Sequence, residues 1–188
     1  TRTLPIQPGE KKIVLAGNPN VGKSIFFFFF TGSYVTVSNY PGTTLEVSSC
    51  RYENNLVIDT TGVYGVSSFN DEEAVARDAI LSADIVVNIV DALHLERDLF
   101  LTQQIIDMGI PVLVALNMMD EALQRGLQID TQKLEEELGV PIIPTVATRN
   151  QGVEEVKKRV FEARCGNSSL QENTRIVAQI EDIRGVNV

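Results

Sequence analysis

Four stretches of nearly uninterrupted apolar residues recur along the chain: KIVLAG at 12–17, DIVVNIVDA at 84–92, PVLVALN at 111–117 and VPIIPTVA at 140–147. A strand that is apolar at almost every position must be buried on both faces, so the sheet it joins needs helices over both sides. The segments between these runs have helical length and periodicity, and helices are expected over 23–31, 70–83, 95–109, 130–139 and 152–164. LEVSSCRY at 45–52 and NLVIDT at 55–60 are separated only by Glu53 and Asn54, which is the spacing of a hairpin. The expectation is an α/β fold: a mostly parallel six-stranded sheet with one antiparallel edge strand and helices on both faces.

A chain of 188 residues is enough for one such domain and too short for two. Residues 1–10 read as a flexible lead-in and 11–165 as the domain. Residues 166–188 read as a linker followed by a helix over 170–184, the start of a further domain that is truncated here. The formal net charge of −9 would repel a phosphate backbone, so no nucleic-acid partner is expected. A small anionic ligand is compatible with that charge, because a local cradle of backbone N–H groups can outweigh a distant negative field. Cys50 and Cys165 belong to no CxxC pair and His94 is the single histidine, which argues against structural zinc and a disulfide framework. The longest apolar run, Ile25–Phe30, is far below the ~18 residues of a membrane span.

The first apolar run leads into Gly17-Asn18-Pro19-Asn20-Val21-Gly22-Lys23-Ser24, which fits G-x-x-x-x-G-K-[ST] between a strand and a helix. Its glycines let backbone N–H groups wrap a β-phosphate, Lys23 reaches the β- and γ-phosphates, and the Ser24 hydroxyl ligates Mg²⁺. Asn18, Pro19, Asn20, Val21, Gly22 and Ile25 complete the expected nucleotide contacts of this loop. Asp59-Thr60-Thr61-Gly62 ends the next strand, 35 residues after Ser24. There Asp59 can hold the metal through water, and the Gly62 N–H can sense a γ-phosphate. Asn117-Met118-Met119-Asp120 ends a parallel strand, where a carboxylate can accept both N1–H and N2–H of guanine. Asn117 can bond the base and tie neighbouring loops together. Val146-Ala147-Thr148 offers a backbone N–H to guanine O6. In the loop Ser38-Asn39-Tyr40-Pro41-Gly42-Thr43-Thr44, Thr44, with Thr43 as second choice, would complete the Mg²⁺ shell only when a γ-phosphate is present.

These five motifs, in this order, resemble the translation-factor-related class of P-loop GTPases. GNPNVGKS, SNYPGTTLE, NIVDALHLERDLFLTQQIIDMGIPVLVALNMMDEA and VPIIPTVATRNQGVEEV together look like the cytoplasmic G domain of the ferrous iron transporter FeoB family, over about residues 10–165. The resemblance implies GTP and GDP as ligands, Mg²⁺ as cofactor and slow hydrolysis of GTP. It also implies a helical spacer domain after the G domain, and a membrane region of the same full-length protein as partner. The location implied is the cytoplasmic side of the cell membrane, and the homo-oligomeric state stays open. Thr61 stands where the family usually has proline, and Met118 where the base motif usually has lysine.

Val63 follows Gly62 at the place where Ras carries a water-orienting glutamine, so two further readings stand beside the first. One is a guanine-nucleotide switch with negligible hydrolysis; the other is a ribosome-associated GTPase of the Era type. No arginine lies in the phosphate loop or in 33–47 to supply transition-state charge. A potassium ion held by the Asn20 side-chain oxygen and by carbonyls of the 33–43 loop could do that work. The resemblance includes potassium-activated members with Asn at this position; the other use of Asn20 is to stabilise the loop turn. Thus Asn20, Lys23, Thr44 and Gly62 are the catalytic candidates. Phe26 to Phe30 put rings on every side of the first helix, of which only two or three can face a core.

Overall fold

In the computed structural model, which describes residues 6–32, 35–62, 65 and 70–168, the first strand, β1 (Lys12–Gly17), lies at the centre of the sheet. The other strands are β2 (Thr36–Asn39), β3 (Glu46–Tyr52), β4 (Asn55–Asp59), β5 (Ile85–Asp91), β6 (Val112–Asn117) and β7 (Ile142–Pro144). Their order across the sheet is β2-β3-β4-β1-β5-β6-β7. Among the described residues the sheet therefore has seven strands rather than six. The added strand is β2, which pairs antiparallel with β3, so the antiparallel β3 stands one place in from the edge. Glu53 and Asn54 both adopt positive φ (47° and 64°), the conformation of a two-residue hairpin turn whose twist matches the flanking strands.

Alternation along each strand sends side chains into two cores. Val14, Ala16, Leu56, Ile58, Val86, Val90, Val114 and Leu116 pack under α2 (Asp71–Leu81), α3 (Leu95–Asp107) and α5 (Thr131–Leu138). Ile13, Leu15, Val57, Val87, Ile89, Leu113 and Ala115 pack under α1 (Lys23–Thr31) and α6 (Val153–Arg159). Of the five phenylalanines of α1, Phe26, Phe27 and Phe30 are buried and Phe28 is 73% exposed, the division that helical geometry demands.

Two sequence expectations shift. The last strand shortens from 140–147 to three residues; it follows Pro141 and ends on Pro144, and proline donates nothing to a ladder. A short helix, α4 (Met119–Gln124), follows β6, with Met118 in the left-handed region (φ 64°) at its start. Residues 166–168, expected as linker, remain bound to the domain. The Asn167 N–H donates to Leu138 O (2.8 Å), and Ser168 Oγ donates to Asp107 Oδ1 (3.2 Å). The helix expected over 170–184 and residues 1–5 of the lead-in lie outside the described residues. No described helix is long and apolar enough to cross a membrane.

Candidate functional site

Strand register brings the separated motifs to one edge. Parallel pairing sets Leu15 of β1 beside Asp59 of β4, Gly17 of β1 beside Ile89 of β5, and Asp91 of β5 beside Asn117 of β6. The carboxyl ends of the central strands thus carry the phosphate loop, Asp59 and Asn117 together. In open α/β sheets ligands bind at this edge, next to the strand where the order reverses.

The phosphate loop owes its shape to backbone conformations that its sequence permits. Asn20 has φ 68° and Gly22 φ 89°, and Gly22 is the residue before α1. A Cβ on Gly22 would lie 2.7 Å from Asn117 Nδ2, and one on Gly62 would lie 2.9 Å from Pro19 N and Cα. Both positions therefore exclude any larger residue. Asn tolerates the left-handed region better than other non-glycine residues, which is a reason for Asn20 independent of any ion. At the start of α1, Lys23 Nζ donates to Asp59 Oδ1 and to the Thr60 carbonyl. Lys23 and Asp59, read from separate motifs, are in direct contact.

Ser24 is exposed in the first turn of α1. In the 40–45 turn the Thr43 hydroxyl is spent internally: it donates to Tyr40 O (2.9 Å) and accepts from the Leu45 N–H (3.2 Å), while Thr44 is exposed. The antiparallel pairing of Ser48 with Asp59 sets this turn at the same sheet edge. The Ser24 and Thr44 hydroxyls with the Asp59 carboxylate would make a hard-oxygen donor set. That suits Mg²⁺, which is held by few protein oxygens plus ligand phosphates rather than by a protein cage. Among the described residues no group of three or more His, Cys, Asp or Glu side chains is placed to hold a metal by itself.

Beside the loop lies a cavity of about 310 Å³ with three walls. Asn20, Gly22, Ser24 and Ile25 form one; Asn117, Met118, Asp120 and Glu121 the second; Val146, Ala147 and Thr148 the third. Asn117 joins them. Its Nδ2 donates to Val21 O (3.0 Å), and its Oδ1 accepts from Thr145 Oγ1 (3.0 Å) and from the Ala147 N–H (3.0 Å). At 3% exposure this side chain ties loops together, and the Ala147 N–H is already engaged by it. Asp120 Oδ2 lies 3.9 Å from Arg149 Nε. That guanidinium is 60% exposed, so the pair contributes at most about 1 kcal/mol.

Of the expected site residues, Asn18, Pro19, Val21, Lys23, Thr44 and Gly62 are not part of the cavity lining. Four contributors escaped the sequence reading: Asp98, Glu121, Thr145 and Arg149. Asp98 had a signal, since it falls with Leu95, Leu99 and Thr102 on the buried stripe of α3. Val63 lies outside the described residues.

A central parallel sheet, a G-x-x-x-x-G-K-S loop entering a helix, a lysine–aspartate pair at its side and a cavity closed by an Asn-x-x-Asp strand end define a P-loop GTPase domain. Comparison with known proteins places it more narrowly. The family model described as ferrous iron transport protein B matches residues 11–160. The Fe(2+) transporter FeoB of Legionella pneumophila (strain Lens) is 39% identical over 178 residues, which cover 88% of this chain and 23% of the transporter. A solved structure of an S. thermophilus NFeoB mutant bound to mGDP is 39% identical, with TM-score 0.78 over 92% of this chain and 70% of that chain. The mGMPPNP-bound NFeoB from S. thermophilus is 44% identical, with TM-score 0.69 over 80% of this chain and 60% of that chain. The chain belongs to the ferrous iron transport protein B family, and it spans about a quarter of the length of the curated relative it matches.

Proposed function

We propose that this domain binds GTP and GDP with Mg²⁺, hydrolyses GTP slowly, and by its nucleotide state regulates ferrous iron passage through a membrane region of the same full-length protein. That role sets the domain on the cytoplasmic side of the cell membrane. The observation that carries the binding reading is the three-walled cavity with Asp120 at its rim and Asn117 locking its walls, set beside the phosphate loop. The carboxylate of Asp120 takes guanine N1–H and N2–H, and in the 146–148 turn, where the Val146 and Ala147 N–H groups are bonded to Gln151 O and Asn117 Oδ1, Thr148 offers its backbone N–H to O6. The phosphate-loop N–H groups and the N-terminus of α1 hold the β-phosphate. Lys23, now on Asp59, turns to the phosphates. Bound Mg²⁺ neutralises phosphate charge, and Ser24, Asp59 through water, and Thr44 are the residues that would hold it. Gly62, packed on Pro19, is the residue whose N–H would register the γ-phosphate.

For hydrolysis, Asn20 is the candidate to hold K⁺ at the edge of the loop where transition-state charge develops. Its support is position: Asn20 is exposed and lines the same cavity edge as Ser24. Phosphate release measured under single-turnover conditions tests both parts. The expected result is Mg²⁺-dependent hydrolysis that rises tenfold or more when Na⁺ is exchanged for K⁺ at constant ionic strength, a rise lost in Asn20→Ala with GDP affinity retained. Equal rates in the two salts leave Asn20 as a turn residue. A rate equal to the protein-free control makes the domain a binding switch.

A further inference from the structure

Asp98 sits on α3, outside every nucleotide motif, and is 2% exposed. Three donors converge on its carboxylate. Oδ1 accepts from Asn18 Nδ2 and from Arg97 Nε (2.8 Å), and Oδ2 accepts from the Asp91 N–H (2.8 Å). A carboxylate withdrawn from water persists only when paired and hydrogen-bonded, and these partners meet that need. Asn18, the residue after Gly17 in the phosphate loop, is also 2% exposed, and its Oδ1 has no partner among the described residues. Asp98 therefore decides which way the Asn18 amide points, because the reversed amide would set oxygen against oxygen. On its other side the loop meets Gly62, where a Cβ would fall 2.9 Å from Pro19 and 3.2 Å from the Asn18 carbonyl carbon. Asn18-Pro19 is thus clamped between α3 and the Asp59–Gly62 segment.

Asp98 lines neither the base cavity nor the Lys23–Asp59 pair. We propose that Asp98 is a positioning residue for phosphate binding: through Asn18 it holds the first turn of the phosphate loop so that the loop N–H groups face the β-phosphate. This rests on the guanine-nucleotide reading of the site. All described bonds of the carboxylate go to protein donors, and Arg97 balances its charge, so what it passes to the loop is geometry.

The test compares GDP, which uses loop and base cavity, with guanosine, which uses the base cavity alone. Asp98→Leu should weaken GDP affinity about tenfold, the loss of one charge-assisted hydrogen bond, and leave guanosine affinity unchanged. Asp98→Asn should retain GDP binding, because its oxygen can accept from the Asp91 N–H while its amide donates to a flipped Asn18 Oδ1 and the half-exposed Arg97 turns its guanidinium away from the amide. Asn18→Ala removes the same link from the loop side and gives the same readout if Asp98→Leu does not fold. The double variant should be no weaker than either single one. An unchanged ratio of GDP to guanosine affinity in Asp98→Leu or Asn18→Ala overturns the proposal. So do equal losses for the two ligands, or losses that add in the double variant. Failure of the unaltered protein to bind GDP is separately visible, and removes the site reading and this proposal with it.

Discussion

Replacing Asn117 by alanine is the sharpest test of how the base cavity is held. The substitution deletes three hydrogen bonds at once, to Val21 O, Thr145 Oγ1 and the Ala147 N–H. The Thr145 hydroxyl keeps a second acceptor, Leu116 O at 3.3 Å, so it is not orphaned. The Val21 carbonyl and the Ala147 N–H lose the Asn117 partner in a site where Asn117 itself is 3% exposed. A buried polar group stripped of its partner costs about 1–3 kcal/mol, so two of them cost about 4 kcal/mol. Against a total of roughly 5–15 kcal/mol, Asn117→Ala should still fold but melt roughly 8–16 °C lower. Asn117→Asp should do no better, since it sets a carboxylate oxygen where Nδ2 now donates to Val21 O. Urea unfolding of the nucleotide-free protein, followed by circular dichroism with the slope of the transition compared, measures the loss directly. A loss below about 1 kcal/mol at unchanged slope would show that the three walls hold without this side chain, and the reasoning would fail.

Asp120→Asn should lower GDP affinity by about 1.5–3 kcal/mol for each lost charge-assisted bond and favour xanthosine diphosphate; a calorimetric titration in which the unaltered protein takes ADP as tightly as GDP would refute the base assignment. Thr44→Ala should leave GDP affinity intact and weaken a γ-phosphate analogue, because Thr44 contributes only in the triphosphate state; equal losses for both ligands would sink that role. Burial pushes the Cys50 thiol up to about 11, with Asp59 adding to the rise and Lys157 partly opposing it. The folded state therefore holds the Cys50 proton, leaving about one thiolate in a thousand at pH 8. A thiol reagent at that pH should modify the exposed Cys165 quickly and Cys50 only on unfolding, and two fast thiols would contradict the burial.

What the sequence determined by itself was everything set by local pattern. Apolar runs longer than one face can use require a doubly covered sheet. G-x-x-x-x-G-K-S requires a strand behind it and a helix ahead. The Glu53-Asn54 pair requires a tight hairpin. That the loop, Asn117 to Asp120 and Val146 to Thr148 would gather at strand ends was legible for the same reason, and residues of all three line one cavity. Tertiary structure decided what depends on pairing across distance. β2 is a strand because β3 offers a free edge; in TVSN the two β-branched residues, Thr36 and Val37, are too short a run to mark a strand by themselves. Thr43 and Thr44 are equivalent in sequence, and only the closed 40–45 turn separates the engaged hydroxyl from the exposed one. Asn117 as a three-way tie depends on Thr145, 28 residues away, being brought beside it, as Asp98 depends on Asn18, 80 residues before it. A polar residue inside an amphipathic helix announces that it needs a partner, but not which one; the partner is chosen by strand order and register, which exist only once the chain has folded.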